Sequence, residues 1–242
     1  MFFHSGRTAS HPASSSHRDL SRRVSFQASE RGNRLNITFF TGSVVGYVDN
    51  PTAIYTRGLA HGLGLRGNEI RVVEERQNHA FARTLHAVGS DAARHFYDNF
   101  RMFQHHTYEP RNGAHLLEWV SREIALIDVA VAVAGLEPEL CCWLANISRA
   151  GGTRAYLTFE PEALTDEAVT TLELEKFDLI LAPTQPAATI AWQPIAFAVA
   201  DQDRSLDIPT APPPDVPDDI DPIRAAEQFE TILASARSTS RG

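Results

Sequence analysis

Lysine is almost absent from this sequence: of the 22 basic residues, Lys176 is the only one that is not arginine. Cysteine is nearly as scarce, with Cys141 and Cys142 alone and adjacent. Neighbouring residues on a helix cannot reach disulfide geometry, and two cysteines cannot build a disulfide framework or a cysteine-based zinc cluster. A reducing cytoplasm is the compartment that this expects. No apolar run approaches the roughly 20 residues that cross a bilayer. Positive charge is in deficit, 22 Lys and Arg against 30 Asp and Glu for a net −8, which excludes a general affinity for nucleic acid.

What is present is enough apolar residue, 43% of 242, to fill one sizeable core. The charge is uneven, +3 through Gly32 and −11 beyond it. Residues 1–33 are rich in Ser, Arg, His and Ala, lack apolar periodicity and cannot offset their ordering entropy, so a disordered tail is expected. The tail superficially resembles an organellar transit peptide, but it has no apolar segment of the kind a secretory signal needs. An ordered domain is expected over 34–206, then a Pro/Asp-rich linker over 207–221, a helix over 222–236 packing back on the domain, and a disordered end at 237–242.

Within the domain, 35–40 is a short β-rich run closed by Thr41-Gly42-Ser43. Asp49 or Asn50 can cap a helix that Pro51 opens. Tyr55, Leu59 and Leu63 give that helix an apolar stripe, Gly58 and Gly62 allow close packing on a sheet, and Gly67 suits a left-handed C-terminal cap. A strand at 69–74 completes a βαβ unit. Helical patterning follows over 78–99, an irregular aromatic and histidine stretch over 100–110, and a helix over 115–126. The apolar run 127–133 suits a strand buried on both faces. Helix 138–148, strand 154–159, helix 166–175 and strand 177–181 continue the alternation, with 195–199 as a last strand. The pattern predicts an α/β, Rossmann-like, mainly parallel sheet with helices on both faces.

In such a sheet the loops after the strand C-termini form the ligand crevice. The loop carrying Gly42, Ser43, Gly46, Tyr47 and Asn50 lies there, where glycines let the backbone approach a ligand and a helix N-terminus offers N–H groups. The stretch 35–74, with its helix end Leu63-Gly64-Leu65-Arg66-Gly67-Asn68-Glu69-Ile70, resembles the opening of family-4-type glycosyltransferases of GT-B fold, whose helix end commonly reads Leu-x-x-Arg-Gly-His-Glu-Val. Asn68 stands where that pattern has His. Ile127-Asp128-Val129 and the run Phe177 to Pro183 resemble later strand units of the same domain, and the resemblance spans 34–200.

The resemblance implies a GT-B N-terminal half that shapes the acceptor site. It also implies no bound cofactor, with a nucleotide sugar as donor substrate held on a second Rossmann domain for which too few residues follow Pro183. Transfer would then need a donor-domain-bearing partner or a homo-oligomer. The family's histidine after a middle strand is missing from Leu157-Thr158-Phe159-Glu160-Pro161-Glu162, which leaves the catalytic residues unassigned.

Further crevice contacts are Glu74, His105, His106, Tyr108, Glu109, Glu160 and Thr184. Imidazole, phenol and carboxylate can bind a sugar or position a proton, and adjacent histidines diverge on regular backbone, which disfavours a metal. Glu74 and Glu75 end the second strand, where dinucleotide enzymes place an acid on a ribose hydroxyl. That is the basis of an alternative nicotinamide-dependent oxidoreductase. Against it, the loop reads G-x-x-x-G, and Lys176 cannot form a Tyr-x-x-x-Lys pair. A third alternative is a non-catalytic Rossmann interaction module, which would expose an apolar docking patch. Asp201-Gln202-Asp203 matches a D-x-D pattern but is expected to be a solvated turn, and Cys141-Cys142-Trp143 is expected to pack in the core.

Overall fold

The β-branched and aromatic run that follows Leu35 forms strand β1 (Asn36–Thr41), and parallel partners on either side bury it. In this computed structural model the described residues are 34–48, 50–76, 78–109, 117–118, 126–147, 152–204 and 221–239. The further strands are β2 (Glu69–Glu75), β3 (Phe103–Tyr108), β4 (Val129–Val133), β5 (Thr153–Leu157), β6 (Leu179–Ala182) and the short β7 (Gln193–Pro194). All seven pair in parallel in the order β3-β2-β1-β4-β5-β6-β7, an α/β, Rossmann-like sheet.

The helices are α1 (Pro51–Leu65), α2 (His79–Val88), α3 (Asp91–Asn99), α4 (Pro138–Asn146), α5 (Asp166–Thr171), α6 (Asp201–Arg204) and α7 (Pro222–Thr239). Because successive strand residues point to opposite faces, the core divides in two. Ile37, Phe39, Val72, Val131 and Leu157 pack with α1, α3 and α7 on one face. Phe40, Val73, Ala132 and Tyr156 pack with α4 and α5 on the other. Among the described residues no helix is long and apolar enough to cross a membrane.

The first βαβ unit matches its sequence pattern closely. Asn50 caps α1 by accepting from the Ala53 N–H at 3.2 Å, Pro51 opens the helix, and Gly67 follows it with φ +91°. Elsewhere the elements shift. The predicted helix 78–99 is two helices parted at Gly89 (φ +72°). The stretch read as irregular contains the edge strand β3. The helix predicted from Asp166 stops at Thr171, and a 3-10 turn follows once Glu173 takes φ +53°. Residues 195–200 are not a strand: after Ile195 N–H donates to the Ala182 carbonyl, the chain leaves the sheet and crosses α1. Helix α7 runs to Thr239, into the segment expected to be a tail. The expected tail 1–33, most of the helix expected over 115–126, Asp49 and the linker 207–220 lie outside the described residues.

Helix α1 is covered from both sides, and its glycines explain how. A Cβ on Gly58 would sit 1.9 Å from the Ala198 carbonyl oxygen, and one on Gly62 would sit 2.0 Å from the Pro222 carbonyl oxygen. Their close approach is therefore to the 195–200 crossing and to the start of α7, not to the sheet. The helix end that carries the family resemblance fastens α7. Arg66 bonds Glu227 and Glu230, and the Asn68 amide accepts from Leu35 N–H and donates to the Leu63 carbonyl and to Glu230. An amide supplies the acceptor and both donors at once.

Candidate functional site

The strand order reverses between β1 and β4, so their loops leave toward opposite faces and open a crevice at the C-terminal edge. Two glycines floor it. Gly42 is partly exposed and Gly135 (φ +85°) is exposed, and a Cβ on Gly42 would meet the Gly135 carbonyl oxygen at 2.9 Å.

Past Gly42 the glycine loop folds inward, and Val44, Val45 and Tyr47 are at most 1% exposed. The N–H groups of Val44 through Val48 all have protein acceptors. Glu74 Oε2 takes those of Val44 (2.5 Å) and Val45 (3.2 Å), Ser43 Oγ takes that of Gly46 (3.0 Å), and Thr84 Oγ1 takes those of Tyr47 (2.8 Å) and Val48 (3.2 Å). A carboxylate thus sits where an anionic ligand would be expected to meet such a loop. The other Glu74 oxygen is 2.8 Å from His105 Nε2, and His105 Nδ1 is 3.3 Å from the Tyr97 hydroxyl. Gly46 is boxed in by Ala80, Ser43 and Asn50.

The loop carbonyls are held by Arg57. This fully buried guanidinium donates to the carbonyls of Val44 and Gly46, stacks 4.0 Å above the Tyr47 ring, and pairs through Nε with Asp203 Oδ2 at 2.7 Å. The D-x-D segment is accordingly not a solvated turn at Asp203, whose side chain is buried; Asp201 is exposed. Burial pushes the Tyr47 phenol far up, with Arg57 opposing and Asp203 reinforcing the shift. His61, one helical turn beyond Arg57, is held below the usual imidazole range by burial, against the pull of Asp203 and Asp201.

On the opposite face, Tyr108 stands beside Glu75 in the β3–β2 register. Glu137, two residues past Gly135, precedes α4 without a side-chain capping bond, and its carboxyl is pushed up by burial and by Glu139 and Glu75. His105 and His106 do point to opposite faces, with His106 exposed. Glu109 is exposed and paired with Arg76 at 2.9 Å. Glu160 and Thr184 are exposed at the ends of β5 and β6, on the far side of the switch point from β2 and β3.

The structure therefore brings together the glycine loop, Glu74 and His105, groups Tyr108 with the acidic rim, and leaves Glu160 and Thr184 apart. Sequence reasoning missed Arg57, Thr84 and Glu137. Arg57 carried one signal, an arginine between apolar positions of a helix, whereas Thr84 carried none. The Cys141 thiol is buried and pushed up to about 12 by burial and by Cys142, so it is not poised as a nucleophile. Among the described residues no group of His, Cys, Asp and Glu is arranged to hold a metal ion. Comparison of the chain with protein-family models and with curated proteins finds no match.

Proposed function

We propose that this domain is the acceptor-binding half of a GT-B-type glycosyltransferase, working with a donor-binding domain or partner chain that supplies the nucleotide sugar. The observation that carries the reading is the occupation of the loop N–H groups by Glu74, Ser43 and Thr84. A crevice in which the Val44 to Val48 amides are already taken, and whose rim holds Glu75, Glu137 and Glu139, disfavours phosphate. It offers instead the acceptor oxygens and bare backbone that suit the hydroxyl groups of a saccharide. The parallel sheet and the return of α7 onto α1 agree with this reading.

The same observation weakens the nicotinamide-dependent oxidoreductase, because Glu74, one of the two acids that could take a ribose hydroxyl, is engaged by two amides and a histidine. It also favours, as a second reading, a non-catalytic module in which the plugged loop only holds the fold together. Amide-detected NMR titrations separate the three. Saccharide-induced shifts at Gly42 and Gly135, with none from uridine or guanosine diphosphate sugars, support acceptor binding. Tight binding of a nucleotide sugar or of NAD(P)H by this chain alone overturns it, and silence toward every saccharide leaves the non-catalytic module.

A further inference from the structure

At the β3 edge of the sheet a line of hydrogen bonds runs from the core to the surface. The side chains of Glu74 on β2 and His105 on β3 are 5% and 10% exposed, whereas Tyr97 on α3 is 53% exposed. Glu74 Oε1 is 2.8 Å from His105 Nε2, and His105 Nδ1 is 3.3 Å from the Tyr97 hydroxyl. A carboxylate accepts, so Nε2 carries the proton that goes to Glu74, and Nδ1 keeps a lone pair to which Tyr97 donates. The Phe96 and Tyr97 rings meet the imidazole edge-on, each with centroids 5.6 Å away, and hold it in this line. Glu74 is fixed in turn by the Val44 and Val45 amides on its other oxygen.

These parts, in this order, activate a hydroxyl nucleophile. A buried acid orients an imidazole and stabilises its cation, and the imidazole takes the proton of a hydroxyl at the surface. Burial and the Glu74 charge hold the Tyr97 phenol above its ordinary range, so the proton leaves during attack rather than before it. The neighbouring charge selects the electrophile. Arg94 lies one helical turn before Tyr97, and Arg101 four positions after it, just past the helix end, with side chains 72% and 77% exposed. They pair with the surface carboxylates of Asp91 and Asp98, contacts worth little in water. A phosphoryl group offers the guanidinium groups stronger, charge-assisted bonds.

We propose that Tyr97 is a phosphoryl-acceptor site, with His105 as its general base and a nucleoside triphosphate as the donor. Because the Val44 to Val48 amides are taken, another chain has to present the triphosphate. Tyr97 Oη attacks the terminal phosphorus, and the Oη–P bond forms as the P–O bond to the diphosphate breaks. The diphosphate leaves with that electron pair. The phenol proton passes to His105 Nδ1, and the imidazolium, held against Glu74, releases it to water. None of these steps depends on what the crevice binds.

The test uses the full chain and two small electrophiles, an alkyl phosphonofluoridate that delivers phosphorus and acetylimidazole that delivers an acyl group. Peptide mass spectrometry locates the label, and its rate is compared with that of N-acetyltyrosinamide in the same buffer. Tyr97 is expected to take the phosphonyl group at least about tenfold faster than the free phenol, with a smaller gain from acetylimidazole. His105→Gln returns it to the rate of the free phenol, Tyr97→Phe removes the label, and Arg94→Ala combined with Arg101→Ala slows it several-fold. The wild-type rate and the two exposed arginines test the site without disturbing the packed imidazole. Nitrogen-15 NMR of His105 should place the proton on Nε2, and on both nitrogens in Glu74→Gln. Labelling no faster than N-acetyltyrosinamide, labelling undiminished in folded His105→Gln, or a wild-type proton on Nδ1 overturns the activated phenol. An equal gain from both electrophiles, or one that the arginine variant keeps, overturns the phosphoryl assignment. Phosphorylation of Tyr97 by magnesium ATP with no second protein overturns the need for a presenting chain.

Discussion

Three glycines of helix α1, Gly58 and Gly62 on one face and Gly64 on another, allow a test in which local propensity and packing give opposite signs. In a helix, replacing Gly by Ala normally stabilises by about 1 kcal/mol, because Ala loses less backbone entropy. Gly58→Ala, however, would place a methyl 1.9 Å from the Ala198 carbonyl oxygen, and Gly62→Ala would place one 2.0 Å from that of Pro222. An ordinary carbon–oxygen contact is roughly 3.3 Å, so each carbonyl must retreat by about 1.4 Å. Neither can do so freely. The 195–200 crossing is tied at one end by Ile195 to Ala182 and at the other by Asp203 to Arg57, and α7 is latched through Arg66 and Asn68.

Forced overpacking of this kind costs about 3 kcal/mol or more, so each variant should lose roughly 2 kcal/mol net. Gly64→Ala meets only the sulfur of Met102, a flexible side chain that is 39% exposed and can swing aside. It should be neutral or gain up to about 1 kcal/mol. Urea unfolding followed by circular dichroism, at a common slope, reads all three. Melting temperatures should fall by about 4–8 °C for the first two variants. If all three stabilise alike, the close contacts do not exist as described; if Gly64→Ala loses as much as Gly58→Ala, the distinction between backbone and side-chain obstruction fails.

Three other outcomes follow from the site. Glu74→Ala strips two loop amides and His105 of their acceptor and should cost roughly 3–5 kcal/mol, with Glu74→Gln costing about half of that; chemical denaturation checks the order, and a loss below about 1 kcal/mol for the alanine variant contradicts the anchoring role. Arg57→Met and Asp203→Leu should each destabilise by about 3–5 kcal/mol, yet the double variant should lose far less than their sum; additive losses in the double-mutant cycle refute the buried pair. His61 has its imidazole pKa lowered in the folded state, so the unfolded chain binds the extra proton as pH falls through the ordinary imidazole range toward that lowered value. Stability contributed by neutral His61 is therefore present above that range and is lost on acidification. His61→Gln should flatten the pH dependence of the unfolding free energy between pH 7.5 and 5, and an unchanged slope excludes the effect.

How much of this was legible depends on the range over which each feature is encoded. The β1–α1–β2 unit announces itself locally, through the β-rich run, Asn50 and Pro51 at the helix start and Gly67 at its end, and its reading needed only correction of a residue at the margins. Strand β3 is hidden because it lies at the sheet edge: Gln104, His106 and Thr107 are exposed and break any apolar alternation, and Phe103 and Tyr108 serve opposite cores. Residues 195–200 failed for the converse reason, since an alanine-rich extended run buried against a helix has the composition of a buried strand. The crevice loop was placed correctly, but its partners were not legible. Glu74 and Thr84 lie roughly 30–40 residues away from the amides they take, and nothing in a sequence motif says that a loop has been filled from within.

The latch between α1 and α7 has a consequence in time. Arg66 and Glu230 are 164 positions apart, so the groove that Gly58 and Gly62 hollow in α1 stays uncovered until the chain through α7 has left the ribosome. The first βαβ unit emerges early with all its local signals in place, yet one side of its helix waits for α7. Contacts of such separation slow folding, and the exposed groove is surface on which a nascent chain can mispair or a chaperone can bind. Helix α7 is thus the element that completes the packing around α1.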